Sequence, residues 1–335
     1  MGRGSPTPRR RENHLVGPVR REANAVNPTS DPDIRVGVSL PPGGFASRDE
    51  AVNYVGAVTD GGLDHLLTAD HVAFFGGRGM DGLTTVSWLA GLHPTIGVYL
   101  GVYLLALRHP VAVARQISTL ALHAPGRLTF GVGVGGEDRH EMEVVGVDPA
   151  TRGRQTDEAL DVLRPLLAGR TVDHRGDFYD APDVCIHPAP SPPVPVTVGG
   201  RSNAAIDRAG RRGDGWLATW CSPARFAEGV ARAKQVAADA ERTDVSWRHG
   251  YQIWVGLGDT PDEGASVLAP AMEKFYGTPY AAFERYSPVG TPADIADWLR
   301  PYLEAGARDI NLAPIAATDA NRVAGAAEVR RLLLT

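Results

Sequence analysis

Asp70 and His71 stand side by side and form the pair in this chain best suited to chemistry. A neutral imidazole can take or give a proton near neutral pH, and a flanking carboxylate can orient it or hold its charge. The same aspartate can instead cap a helix start, with His71 an incidental neighbour. A second stretch, Val198-Gly-Gly-Arg-Ser-Asn203, leads into a helical run over 204–210. Gly199 and Gly200 let an anion approach backbone N–H groups, the helix start attracts it, and Arg201 and Ser202 can add hydrogen bonds. A plain strand-to-helix turn also favours Gly and Ser. Gly131, Gly133 and Gly136 match GxGxxG, but the first two fall inside an apolar run rather than in a turn. Glu137 and Asp138 would then put negative charge beside a pyrophosphate, so a dinucleotide fingerprint is disfavoured. Small residues in that run better suit a planar ring lying across the strand ends. The histidines form no HxH or HExxH pattern, and no G-x-S-x-G elbow occurs, so neither a metal site nor a serine hydrolase is expected.

Elements able to position these groups recur along the chain. Short apolar, β-branched runs occur at 34–40, 65–69, 96–105, 128–134, 194–198, 216–219, 252–257 and 309–313. Runs apolar on both faces suit strands buried in a parallel sheet. Most intervals carry helical patterns, among them 157–168, 224–240 and 292–305. Pro110 and Pro292 sit where a first helical turn would begin, and Gly169 and Gly306 where helices would stop. Eight alternating units in a chain of this length predict a closed (β/α)8 TIM barrel. Catalytic residues would then gather at the C-terminal strand ends: Asp70 and His71, Gly135 to Asp138, and Gly199 to Ser202. Two connections exceed plain helices. The stretch 170–193 reads as a β-ribbon and loop after the fourth helix. The stretch 259–288 holds Phe275, Tyr276, Tyr280, Phe283 and Tyr286, either as a lid or as an aromatic helix packed on the barrel wall.

Composition removes several other classes. A net charge of −5 and a pI near 6.1 argue against nucleic acid. Cys185 and Cys221 share no metal-ligand spacing and read as reduced thiols, which suits a cytoplasmic protein. The apolar stretch 95–107 is too short to span a bilayer. Only Lys234 and Lys274 are lysines among 34 basic residues, a bias that fits a GC-rich, actinobacterial genome. Residues 1–33 are Arg-rich without apolar periodicity and read as a disordered tail, leaving 34–335 as a single barrel domain.

Taken together, several segments resemble the luciferase-like monooxygenase superfamily, whose members bind FMN or the deazaflavin coenzyme F420. They are Ile96-Gly-Val-Tyr-Leu-Gly-Val-Tyr-Leu-Leu-Ala-Leu-Arg-His-Pro110, Ala114-Arg-Gln116 and Arg127-Leu-Thr-Phe-Gly-Val-Gly-Val-Gly135. Arg152-Gly-Arg154, Asp157-Glu-Ala-Leu160, Pro195 to Ser202 and Ala209 to Trp216 complete the likeness. It covers about residues 34–316 and implies a luciferase-like barrel with the ring of its cofactor at the C-terminal mouth. It also implies a non-prolyl cis peptide at Gly101–Val102 backing that ring. Asp70–His71 resembles the pair that deazaflavin-dependent members carry, so the resemblance implies F420, with FMN as the alternative. His71, with Glu137 as a second proton donor, would be catalytic. Asp70, His71, Gly101, Val102, Gly135, Gly199, Gly200, Arg201 and Ser202 would hold the cofactor. The chain departs from the pattern at Gly136, which stands where some deazaflavin dehydrogenases carry Glu, with Glu137 displaced by one. The expected activity is hydride transfer between F420 and a small organic substrate. A two-component FMN monooxygenase and a non-catalytic flavin-binding barrel are the alternatives. Family habit also implies a homodimer, and a separate F420 or flavin reductase as an indirect partner.

Overall fold

Eleven strands and eleven α-helices follow one another along the described residues of a computed structural model, which covers Met1 and residues 34–335. The tail expected over 1–33 therefore lies outside the described residues. The strands are β1 (Arg35–Ser39), β2 (His65–Thr68), β3 (Gly97–Leu104), β4 (Leu128–Gly133), β5 (Val172–Arg175), β6 (Asp180–Val184), β7 (Val196–Gly199), β8 (Gly215–Ala218), β9 (His249–Leu257), β10 (Val289–Gly290) and β11 (Ala307–Ile315). The helices are α1 (Arg48–Asp60), α2 (Phe74–Gly77), α3 (Gly82–Leu92), α4 (Pro110–His123), α5 (His140–Glu143), α6 (Arg152–Leu167), α7 (Asn203–Arg212), α8 (Pro223–Asp239), α9 (Pro261–Tyr276), α10 (Pro292–Glu304) and α11 (Asp319–Leu333).

Eight strands pair in parallel in the cyclic order β1-β2-β3-β4-β7-β8-β9-β11, and β11 closes on β1 through Asp309 opposite Arg35. This is the (β/α)8 barrel that the apolar runs predict. β2, β4, β7 and β8 are buried at every residue, which is why their sequences show no alternation. β5 and β6 form the expected antiparallel ribbon after α6.

Helix starts follow local chemistry. Pro110, Pro223, Pro261 and Pro292 open helices, and Ser202, Ser222, Thr260 and Thr318 accept hydrogen bonds at their N-caps. Thr291 and Asp294 form a reciprocal capping box on α10. Gly169 and Gly306 stand at positive φ just beyond α6 and α10, as their positions predict.

The base of the barrel is closed by charge. Asp309 is fully buried and accepts from Arg35 Nε at 2.9 Å and from Arg248 Nη2 at 2.8 Å. Burial alone would raise its carboxyl, but the two guanidinium groups and His65 hold it below the usual carboxylate range. Above this plug, His65 Nε2 donates to Asn311 Oδ1 at 2.7 Å, and Tyr99 bonds Thr197 at 2.9 Å. Burial, then the positive charge of Arg35, pushes His65 below its ordinary value. His249 sits at the start of β9 and accepts from the Trp216 N–H, and burial carries it down to about 4.

Candidate active site

Asp70 and His71 follow β2 at the mouth, yet their side chains do different jobs. Asp70 is 1% exposed, and its carboxylate is consumed by protein. Oδ1 accepts from the first N–H of α3, Gly82, at 2.8 Å, and Oδ2 accepts from the Leu104 N–H at 3.0 Å. Arg108 forks onto both oxygens and reaches Asp81 as well. Asp70 is thus a strut joining β2, β3 and α3, and His71 is not among the partners of its carboxylate. The helix-capping alternative is nearer to its contacts, although the helix it caps begins twelve residues later.

The carboxylate facing His71 is Glu141, which sequence reading missed. His71 Nδ1 lies 3.2 Å from Glu141 Oε2, and Glu141 Oε1 accepts from the Val72 N–H at 2.6 Å and the Ala73 N–H at 3.2 Å. A carboxylate accepting two backbone donors is held in its acceptor form, so Nδ1 must carry the hydrogen it shares. The other nitrogen, Nε2, then presents a lone pair in the neutral ring and has no hydrogen-bond partner among the described residues. The ring stacks on Phe74 with centroids 4.1 Å apart. Asp138 makes a second tie by accepting from the Phe75 N–H at 2.7 Å, so the loop after β4 staples the loop after β2. Glu137 is exposed and is not among the partners of His71.

The Gly101–Val102 peptide bond is cis, at the place the resemblance implies, and the β3–β4 register shifts there. Its flanking carbonyls are engaged: Gly101 O accepts from Gln252 Nε2 at 3.2 Å and Val102 O from the Asp70 N–H at 3.2 Å. The glycines nearby serve an unforeseen purpose. A Cβ on Gly133 would lie 2.3 Å from Val102 Cγ2, and one on Gly199 would lie 2.6 Å from Val102 Cγ1. The room they leave is filled by Val102. The result is a side-chain-poor floor capped by one aliphatic group.

Across the mouth, Gly200 has φ +131, and a Cβ there would meet Ala205 at 2.8 Å. Its carbonyl accepts from Trp216 Nε1 at 2.7 Å, which fixes the turn into α7. Ser202 caps α7 by accepting from the Ala205 N–H, while Arg201 is exposed and lies over the Trp220 ring at 5.3 Å. Gly135 has φ +64 and packs against Met142 and Leu104, so it shapes the loop that carries Glu141.

The 259–288 insertion takes its wall-packed reading over α9. Leu268 and Met272 of α9 are fully buried and pack with Ile315, so the helix lies on the barrel wall. At its C-terminal end Phe275 reaches Phe74, with ring centroids 5.8 Å apart.

Comparison with known proteins accords with this geometry. The family model of luciferase-like monooxygenases matches residues 30–287. An uncharacterized protein of Mycobacterium tuberculosis is 36% identical over 139 residues, 42% of this chain, and the chain spans 48% of that relative's length. The F420-dependent glucose-6-phosphate dehydrogenase of Kribbella flavida is 29% identical over 82% of this chain and 90% of its own. Among solved structures, an F420-dependent secondary alcohol dehydrogenase in complex with an F420–acetone adduct superposes with a TM-score of 0.77. It is 18% identical over 90% of this chain and 99% of its own, a likeness of fold. No helix among the described residues is long and apolar enough to cross a membrane.

Proposed function

The chain belongs to the luciferase-like monooxygenase family, and on that premise we propose that it is an F420-dependent oxidoreductase acting on a small alcohol or carbonyl compound. The observation that carries the reading is the His71–Glu141 pair, which leaves one imidazole nitrogen free, one residue after the Asp70 N–H that bonds the Val102 carbonyl. The names of relatives such as the Kribbella enzyme support the deazaflavin.

The residues present fit such a group. Gly133, Gly199 and Val102 form a floor without projecting polar side chains, suited to one face of a planar ring. The start of α7, with Gly200, Arg201 and Ser202, offers backbone N–H groups and a cation where an anionic tail needs them. When bound, the deazaflavin supplies a ring carbon that takes up or gives back a hydride.

His71 Nε2 takes the proton of a substrate hydroxyl as its carbinol C–H leaves as hydride, so an alcohol becomes a carbonyl. In the reverse direction the same nitrogen returns the proton to oxygen. Glu141 keeps Nδ1 protonated and offsets the positive charge while the ring holds both protons. Titration of the purified chain with oxidised F420 and with FMN tests the assignment. A dissociation constant for F420 at least tenfold below that for FMN is expected. Tighter FMN binding, with oxygen consumed from reduced FMN, would overturn it in favour of a monooxygenase.

A further inference from the structure

A run of aromatic contacts crosses the mouth from the proton-handling imidazole to the arginine at the start of α7. His71 stacks on Phe74 at 4.1 Å, and Phe74 meets Phe275 at 5.8 Å. Phe275 meets Trp254 at 5.6 Å, and Trp254 donates from Nε1 to the Tyr276 hydroxyl at 3.0 Å. Tyr276 meets Trp220 edge-on at 5.2 Å, and Trp220 ends the run beneath Arg201. Edge-on and tilted pairs at these separations are favourable ring contacts, so the arch holds its own shape. The buried Leu268 and Met272 anchor its helix, and Gly277 ends that helix in the left-handed region directly after Tyr276.

Trp220 carries two unusual features. It holds a left-handed backbone, φ +48, and its Nε1 is buried without a hydrogen-bond partner among the described residues. A buried N–H left unpaired is unfavourable, and an oxygen seated under the arch would pair it. Burial pushes the Tyr276 phenol upward against the lowering effect of its hydrogen bond with Trp254. Arg201 is the one cation stacked on these rings among the described residues, and it stands at the end given above to the cofactor tail.

We propose that this arch is the substrate-binding wall and that it selects a ring-bearing alcohol or ketone over a sugar phosphate. The rings offer stacking area, and Trp220 Nε1 offers a donor to the substrate oxygen. This selection rests on the oxidoreductase reading of the same site.

Calorimetric titration of the full chain, first with F420 and then with acetophenone, ethylbenzene or glucose 6-phosphate, tests it. Acetophenone should bind saturably to the F420-loaded chain, at least tenfold tighter than glucose 6-phosphate. Phe275→Ala should weaken acetophenone at least fivefold and leave the F420 dissociation constant unchanged. Trp220→Phe, which keeps a ring but removes the donor, should weaken acetophenone and spare ethylbenzene, which lacks the oxygen. Equal or tighter glucose 6-phosphate binding would overturn the proposal. So would the absence of saturable acetophenone binding, or indifference to Phe275→Ala. Failure of F420 to bind would instead overturn the function proposed above. Acetophenone titrated into the cofactor-free chain would then decide the arch on its own.

Discussion

The base and the mouth of this barrel each bury a carboxylate against a basic side chain, and they differ in which base was chosen. At the base, Asp309 is closed by Arg35 and Arg248, two groups that keep their charge at any physiological pH. At the mouth, Glu141 is closed by His71, whose charge changes with a single proton, and whose second nitrogen is left open. The first arrangement is a strut and the second is the proton handler proposed above. Asp70 shows that position alone does not decide the matter. It stands at the mouth beside His71, but its Arg108 partner and two backbone donors make it a strut like Asp309. What separates function from support is a partner that can titrate and an atom left without one.

The contrast can be broken at either end. Asp309→Ala leaves two guanidinium groups facing an emptied site and should cost about 3–5 kcal/mol of folding stability, with F420 affinity per folded molecule unchanged. Denaturant unfolding followed by circular dichroism reads this directly, and a loss below about 1 kcal/mol would show that the plug is dispensable. Acid gives the next largest effect. His249 has its folded value lowered to about 4, and His65 is lowered as well. A histidine depressed by folding contributes stability that is full above its unfolded value of about 6.5 and is lost as pH falls towards the folded one. Unfolding free energy should therefore drop between about pH 6.5 and 4, with His249 alone contributing on the order of 3 kcal/mol. In His249→Gln that slope should shrink, and an unchanged slope would assign it elsewhere. At the mouth, Glu141→Gln keeps the shape but removes the charge opposite Nδ1. It should lower turnover about tenfold, the low end expected for a group acting through a catalytic base, with F420 affinity held within threefold. Full activity in that variant would reduce Glu141 to a staple for Val72 and Ala73.

The legibility of the chain in its sequence follows the range of the physics. Strands buried on both faces are mostly apolar, so all eight barrel strands announce themselves, as do helix starts at Pro110 and Pro292. β9 reads as 252–257 but begins at His249, because its first residues pass beside the polar base. His71 is legible by type and position. Glu141 is not, since it lies 70 residues on and shares its loop with Glu137, Asp138 and Glu143, which look alike in one dimension. Arg108 stands in a segment that carries the family likeness, yet nothing local says that it will fork onto Asp70. Gly133 and Gly199 signal close approach correctly, but the visitor is Val102, which only the folded register of β3 brings there.

The central claim is that the mouth of this barrel does chemistry through the free nitrogen of His71. Its most direct test is steady-state turnover of His71→Ala with F420 and a substrate the native chain oxidises, beside calorimetric F420 affinity. The account predicts at least a 100-fold fall in turnover, within the range for loss of a general base, with the F420 dissociation constant within threefold of native. Native turnover in that variant would contradict it.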